Sequence, residues 1–378
     1  MPGQFRHTRD FLDTAKRVVI KAGSAVLADE NGLDASMVAS ISEDIARIRS
    51  EGRCVTLVSS GAVAAGRGKL PEHAFSRTIP EKQALAAVGQ GRLMHAYEEA
   101  FDRFGINVAQ VLLTRDALVS RPRYLNAKNT LKTLLKWGVL PIINENDTMA
   151  TEELQFTDND TLSALVVNLT EADLLICLSD IDGLYDTDPR TNPGGARRIL
   201  EVERVDESIL GLAGSKPGRA GRGGMRSKLE AARVVTACGV PMIIAGGRTH
   251  NVLKRIFAHE DIGTVFHRSR RRKICGRKPW IALTLPRQGA LELDSGAVRA
   301  ILEQGKSLLP VGVRAAQGDF EAGACVVCRG PDGKDVAIGI CNYSAQDLRG
   351  IIGCKSGEIC TGQDVADEII HRDNLVIL

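Results

Sequence analysis

Three short polar clusters in this 378-residue chain combine residue types that handle phosphates and carboxylates. In VVIKAGS, Lys21 ends an apolar β-branched run and is followed by Ala22, Gly23 and Ser24. An ammonium beside the exposed backbone N–H groups of a glycine turn is a way to hold phosphate, although an ordinary lysine entering a turn gives the same pattern. In LVSSGAVAAG, Ser59, Ser60 and Gly61 open a helix-like run of small residues. Small side chains let the backbone approach an anion at a helix start, or let a helix pack closely on a sheet. PIINEND sets Asn144, Glu145, Asn146 and Asp147 directly after a buried run, and FTDNDTLSA places Asp158, Asn159 and Asp160 before a helix. Four polar residues after a strand must face water or a ligand, since burying them unpaired costs about 1–3 kcal/mol each. Asp147 suits an ammonium, and Asn144 a partner of either sign. A helix N-cap explains one of residues 158–160 and leaves the others for another task.

A second group of residues suits a nucleotide. Ser179 and Asp180 end another apolar run and lead into IDGLYDTDPRTNP, a loop dense in Gly, Asp and Pro that suits a base and ribose. GSKPGRAGRGGMRSK then carries Lys216, Arg219, Arg222, Arg226 and Lys228 into a helix. Its composition is that of a phosphate cradle, with an ordinary surface loop as the alternative. Two other patterns fail. Gly305, Lys306 and Ser307 end like a P-loop, but Ala300 replaces the first glycine and no strand precedes it, and no GxGxxG follows any predicted strand.

These residues need elements to hold them. Strands are predicted at 18–21, 55–59, 108–113, 140–144, 174–179 and 240–245, with helices at 35–50, 81–104, 124–137, 161–169 and 227–238. Strand and helix in alternation predict an α/β fold: a three-layer α/β/α sandwich around a mostly parallel sheet, whose ligands lie beyond the strands' carboxyl ends. From about residue 280 the pattern becomes short strands at 290–293, 312–315, 324–329, 336–340 and 375–378, with one helix at 296–304, which predicts a small, mostly β domain. Between the two, residues 267–279 include Arg268, Arg270, Arg271, Arg272, Lys273, Arg277 and Lys278 and no acid. Without these seven charges the formal net charge of +3 would be −4, so the basicity is local. A solvated linker or a nucleic-acid contact would both account for it. The expected organisation is therefore residues 1–266, a basic linker 267–279, and residues 280–378.

No apolar run approaches the roughly 20 residues that span a bilayer. The first 17 residues mix Arg6, Arg9 and Arg17 with Asp10 and Asp13, unlike a secretory signal or transit peptide. Nine scattered cysteines then read as reduced thiols of a cytoplasmic protein. Cys325 and Cys328 form a CxxC inside an apolar run, where packing is expected over zinc binding.

Together the motifs VIKAGS, VSSGAVAAGR, AAVGQGRL, LNAKNTL, INEND, DNDTLSA, SDIDGLYDTDPR and GGMRSK resemble, in order, those of the glutamate 5-kinases, an amino acid kinase fold with a C-terminal PUA domain. The resemblance covers nearly the whole chain after residue 16. It implies ATP-dependent phosphorylation of the γ-carboxylate of L-glutamate, the first step of proline biosynthesis, with Mg²⁺ arriving on ATP, no dedicated metal cage and no catalytic His. By resemblance Lys21 and Lys228 hold the transferring phosphates and Asp160 orients them. Ser60, Gly61, Asp147 and Asn159 bind glutamate, with Asn144 and Asp158 close by. Ser179, Asp180, Arg222, Gly223, Gly224, Met225, Arg226, Ser227 and Lys228 line the ATP site with Lys21. Positions 222 and 226 are Arg where the family often has Thr or Ser, and Ser179 stands where Thr is frequent. The resemblance also implies proline as feedback inhibitor, a homotetramer, a γ-glutamyl phosphate reductase downstream and RNA as a ligand of the PUA domain. The chain ends without a dehydrogenase-like domain, which reads as a separate kinase. The alternatives are another amino acid kinase, acting on N-acetylglutamate, aspartate, carbamate or UMP, and an RNA-binding protein on a kinase-like scaffold.

Overall fold

The computed structural model describes residues 9–73, 78–114, 121–149, 159–192, 194–213, 224–269, 285, 287–354 and 368–378. The chain divides into two compact units, Met1–Lys273 and Ile274–Leu378.

Runs of Val, Leu and Ile form the sheet of the first unit. Its strands are β1 (Arg17–Ala22), β2 (Cys54–Ser59), β3 (Val108–Leu113), β4 (Leu140–Glu145), β5 (Leu174–Ser179), β6 (Glu201–Val202), β7 (Met242–Gly246) and β8 (Thr264–Phe266). They lie in the order β6-β8-β7-β5-β1-β2-β4-β3. From β7 to β3 all neighbours are parallel, and β8 pairs antiparallel with β7. Every residue of β4, β5 and β7 is buried, as strands covered on both faces require. Strand β8 is three residues long and antiparallel to β7, and Thr264–Phe266 is too short to show a period by which to predict it.

Among the described residues, the first unit's helices of six or more residues are α1 (Ala35–Ser50), α2 (Ala62–Lys69), α3 (Ile79–Asp102), α4 (Arg121–Lys136), α5 (Asn159–Thr170), α6 (Met225–Ala237) and α7 (Val252–Phe257). Asp34 caps α1 by accepting from the Met37 amide at 3.1 Å, and Thr78 with Glu81 forms a capping box on α3. On one face of the sheet, α1, α2, α3 and α7 pack on one another, and α4, α5 and α6 form the other layer. Strand periodicity sorts the residues between them. Val18, Ile20 and Ala22 join Leu57, Ile142, Ile176 and Ile243 in the core under α1, α3 and α7, which turns Val19 and Lys21 toward α5.

Close approach of α2 and α3 depends on glycine. A Cβ on Gly89 would stand 1.8 Å from the Ala62 carbonyl oxygen, and one on Gly66 2.0 Å from that of Leu85. The small residues of VSSGAVAAGR and AAVGQGRL thus pack two helices as well as opening a turn.

The second unit is a five-stranded sheet with strands β9 (Arg287–Leu293), β10 (Val313–Gln317), β11 (Cys325–Arg329), β12 (Asp335–Ile340) and β13 (Leu375–Ile377), in the order β10-β9-β11-β12-β13. Among the described residues it carries two α-helices, α8 (Ser295–Gln304) and α9 (Ala345–Ile351). Cys325 and Cys328, three apart on β11, point to opposite sheet faces and do not converge on one ion. Burial pushes their thiols up to about 11 and about 12, and Cys328 and Cys341 sit in the apolar core. Beyond residue 269 the basic run lies outside the described residues. Among the described residues, no helix is long and apolar enough to cross a membrane.

Candidate active site

Parallel strands bring their carboxyl ends to one edge of the sheet, where the candidate residues gather. β1 is central, so Lys21 near its end stands between two halves. On one side β5 ends at Ser179 and β7 at Gly246, and on the other β2 ends at Ser59 and β4 at Glu145. This is the crevice at which an open α/β sheet changes direction, where ligands bind.

Lys21 curls over Gly23, its Nζ 3.4 Å from where a Cβ on that glycine would lie. It meets Asp160, in the first turn of α5, at 2.5 Å. Lys228, in the first turn of α6, reaches the other oxygen of the same carboxylate at 3.1 Å. All three residues are buried, Asp160 completely. Burial alone would push the Asp160 carboxyl up, but the two ammoniums and their hydrogen bonds outweigh it and hold the carboxyl well below the usual carboxylate range. The Ser227 hydroxyl lies 2.9 Å from Asp160 Oδ2 and 2.9 Å from the Gly224 carbonyl. The Cys177 thiol donates to Asp160 Oδ1 at 3.3 Å. The result is a buried anion clamping two cations at fixed places, with the starts of α5 and α6 beside it.

Across β1 lies a cluster of amides and hydroxyls. Asn159 Nδ2 has three acceptors within reach: Ser60 Oγ at 2.8 Å, Asn144 Oδ1 at 2.9 Å and the Ser59 carbonyl at 3.2 Å. Asn144 in turn donates from Nδ2 to Gln90 Oε1 at 2.9 Å and accepts from the Glu145 amide. The chain of bonds fixes which end of each amide faces which neighbour. Ser59 Oγ shares a hydrogen bond with Tyr97, 2.9 Å away in the core under α3. Gly61 caps α2 with φ of 110°, a left-handed conformation that glycine adopts without strain. Asp147 follows β4 in a half-buried turn.

On the nucleotide side the buried Ser179 donates to the exposed Asp180 at 3.0 Å, and its carbonyl accepts from Gly247 at 2.8 Å. Gly224 precedes α6, and Met225 is half-buried. Arg226 is exposed and pairs with Glu230 one turn along, 3.2 Å away, so its side chain is occupied on the helix surface. Asp158, Arg222 and Gly223 lie outside the described residues.

Sequence reasoning assigned no role to Gln90, Tyr97, Cys177 or Gly247. Gln90 and Tyr97 belong to α3, whose contacts with β4 and β2 depend on helix packing and leave no local signal. Cys177 was within reach, because it lies two residues before Ser179 on a strand and so shares its face.

Fixed buried cations at the carboxyl ends of a parallel sheet, beside a cluster of amides and hydroxyls, are an arrangement suited to phosphoryl transfer. Residues 16–246 match the amino acid kinase family and residues 289–361 match the PUA domain. A UMP kinase from Bacillus anthracis superposes with a TM-score of 0.48 at 18% identity, covering 67% of this chain and 96% of that one. Glutamate 5-kinases from three bacteria align almost end to end. That of Geobacter sulfurreducens is 50% identical over 97% of this chain and 99% of its own length. That of Desulfotalea psychrophila is 48% identical over 98% and 99%, and that of Pseudomonas putida 49% identical over 96% and 98%. The chain belongs to the glutamate 5-kinase family of amino acid kinases.

Proposed function

We propose that the chain transfers the γ-phosphoryl group of ATP to the γ-carboxylate of L-glutamate, in proline biosynthesis. The observation that carries the reading is the buried Lys21–Asp160–Lys228 cluster, one strand away from the Ser60–Asn144–Asn159 cluster.

A glutamate side chain, with an unperturbed pKa near 4.3, is already an anion at neutral pH, so the acceptor needs no general base. Its oxygen attacks the γ-phosphorus, the bond to the ADP oxygen breaks, and ADP leaves with the electron pair. The barrier lies in bringing an anion to a polyphosphate, and it is lowered by position and by fixed cations. Lys21 and Lys228 supply those cations, while Asp160 keeps their separation constant. Ser60, Gly61, Asn144, Asp147, Asp158 and Asn159 form the glutamate side. Ser179, Asp180 and residues 222–228 form the ATP side.

Mg²⁺ belongs to this reading as part of the ATP complex. Asp160 is unsuited to ligate it, since both oxygens accept from ammoniums that would repel a dication. Competition by proline, a homotetramer, transfer of the acyl phosphate to a reductase, RNA at the PUA domain and a cytoplasmic setting complete the reading.

Trapping of γ-glutamyl phosphate by hydroxylamine tests it, with Mg-ATP and L-glutamate, aspartate, N-acetylglutamate or UMP as acceptor. Hydroxamate from glutamate and its loss in Lys228→Ala are expected. ADP release with a different acceptor would keep the fold and overturn the substrate, and silence with all of them would overturn the kinase reading.

A further inference from the structure

The two lysines do not hold Asp160 alone. Its Oδ1 accepts from Lys21 at 2.5 Å and from the Cys177 thiol at 3.3 Å, and its Oδ2 lies 3.1 Å from Lys228 and 2.9 Å from the Ser227 hydroxyl. Each oxygen therefore meets one ammonium and one neutral side chain, the Ser227 proton being shared with the Gly224 carbonyl. The backbone fixes both pairings. Lys21 and Cys177 are opposite one another across the parallel pair β1 and β5, and Ser227 immediately precedes Lys228.

We propose that Cys177 and Ser227 are positioning residues for phosphoryl transfer, locking the rotation of the Asp160 carboxylate so that Lys21 and Lys228 keep one geometry as they engage a polyphosphate. The inference rests on the phosphotransferase reading given above. The terminal torsion of an aspartate is broad and roughly two-fold, and an ammonium rides on a flexible four-carbon stem. A carboxylate held by two lysines alone would turn whenever their remaining N–H groups moved toward phosphate. Cys177 is fixed on a central strand and wholly buried, and Ser227 is fixed in a helix's first turn, so neither follows the phosphate. Burial, and next the Asp160 charge, push the Cys177 thiol up to about 12, which keeps it an S–H donor through the working range of pH.

The test compares Cys177→Val, which is apolar, branched and slightly larger and has no donor, with Cys177→Ser, which keeps a donor in a smaller side chain, and with Ser227→Ala. Full-length proteins are assayed by glutamyl hydroxamate formation with thermal melting in parallel. A hydrogen bond to a charged group is large enough that kcat should fall roughly ten- to hundredfold in Cys177→Val and Ser227→Ala, with KM for glutamate nearly unchanged. Cys177→Ser should recover most of the loss. The double variant should lose less than the product of the single losses, because both act on one carboxylate. A packing role predicts the opposite order, with Val equal to or better than Ser, and that result would overturn the proposal. So would losses that merely track the melting temperature. The infrared S–H stretch of wild type minus Cys177→Ser gives a readout without turnover, and it should be displaced from the free-thiol position. If wild type makes no hydroxamate, the functional reading fails; an undisplaced S–H band would overturn the Cys177 bond itself.

Discussion

Asn159 and Asp160 are consecutive residues in the first turn of α5, and they face different halves of the site. The Asn159 amide joins Ser60 and Asn144 beyond β2 and β4, while the Asp160 carboxylate joins Lys21 and Lys228 beyond β1 and at the start of α6. A helix turns about 100° per residue, so one helix start placed over the central strand serves both halves at once. The two neighbours should separate kinetically. Asn159→Ala should raise KM for glutamate roughly tenfold through a lost amide bond and change kcat less, whereas Asp160→Ala should abolish measurable turnover. Steady-state hydroxamate assays at varied glutamate decide it, and equal effects of both variants on KM would refute the division.

Lys21 sits where the halves meet, so its ammonium should act on the reaction more than on binding. Lys21→Ala should lower kcat by about a hundred- to a thousandfold, the scale of removing one fixed donor from a transition state, while KM for glutamate moves little. Lys21→Arg should not restore activity, because a planar guanidinium cannot replace a compact ammonium against one carboxylate oxygen. A change confined to KM would assign Lys21 to binding alone.

Acid titration reads the same cluster in the absence of substrate. The folded-state carboxyl of Asp160 is held below its unfolded value, near 3.9, so its contribution is fully present above that value and is lost as pH falls through the folded one. Asp160→Asn leaves two buried ammoniums without their anion and should cost about 3–5 kcal/mol near neutrality. The gap in urea midpoint between wild type and Asp160→Asn should narrow below about pH 4, the direction set by that unfolded value. A gap that stays constant to pH 3 or widens would show that Asp160 is not held ionised by its partners.

Much of this arrangement was legible in the sequence because strand ends announce themselves. The runs ending at Lys21, Ser59, Asn144 and Ser179 are apolar and β-branched, and each stops at polar or glycine residues, so both the parallel sheet and the edge at which the candidate residues gather followed from local pattern. Pairing of Lys21 with Asp160 was available only through resemblance, since nothing near position 21 specifies a partner on a helix starting at 159. Helix α7 escaped because six residues show little period, and its start is capped from afar, the Leu253 amide donating to the buried Asp44 of α1 at 3.0 Å. Gln90 escaped for a related reason. Its partner Asn144 is 54 residues away and is brought to it by the crossing of α2 and α3 and the pairing of β2 with β4.

That crossing makes the last prediction, which separates two glycines of one helix. Gly89 and Gly91 both lie in α3, two residues apart in AAVGQGRL. A methyl group on Gly89 would overlap the Ala62 carbonyl at 1.8 Å and crowd the Gly66 amide at 2.4 Å, both backbone atoms of α2 that cannot swing aside. On Gly91 it would meet nothing within 4 Å. Helix propensity favours alanine at either position by roughly 1 kcal/mol, so Gly91→Ala should raise the melting temperature slightly and leave the kinetics alone. Gly89→Ala must instead push α2 from α3 and should destabilise by about 1–3 kcal/mol or more. Because Ser60 and Gly61 lead into α2, and Gln90 adjoins Gly89, the same displacement should weaken glutamate binding, with KM rising several-fold while KM for ATP holds. Thermal melts with glutamate and ATP titrations of both variants check it. Equal behaviour of the two alanines would mean that the helix crossing does not govern the acceptor side of the site.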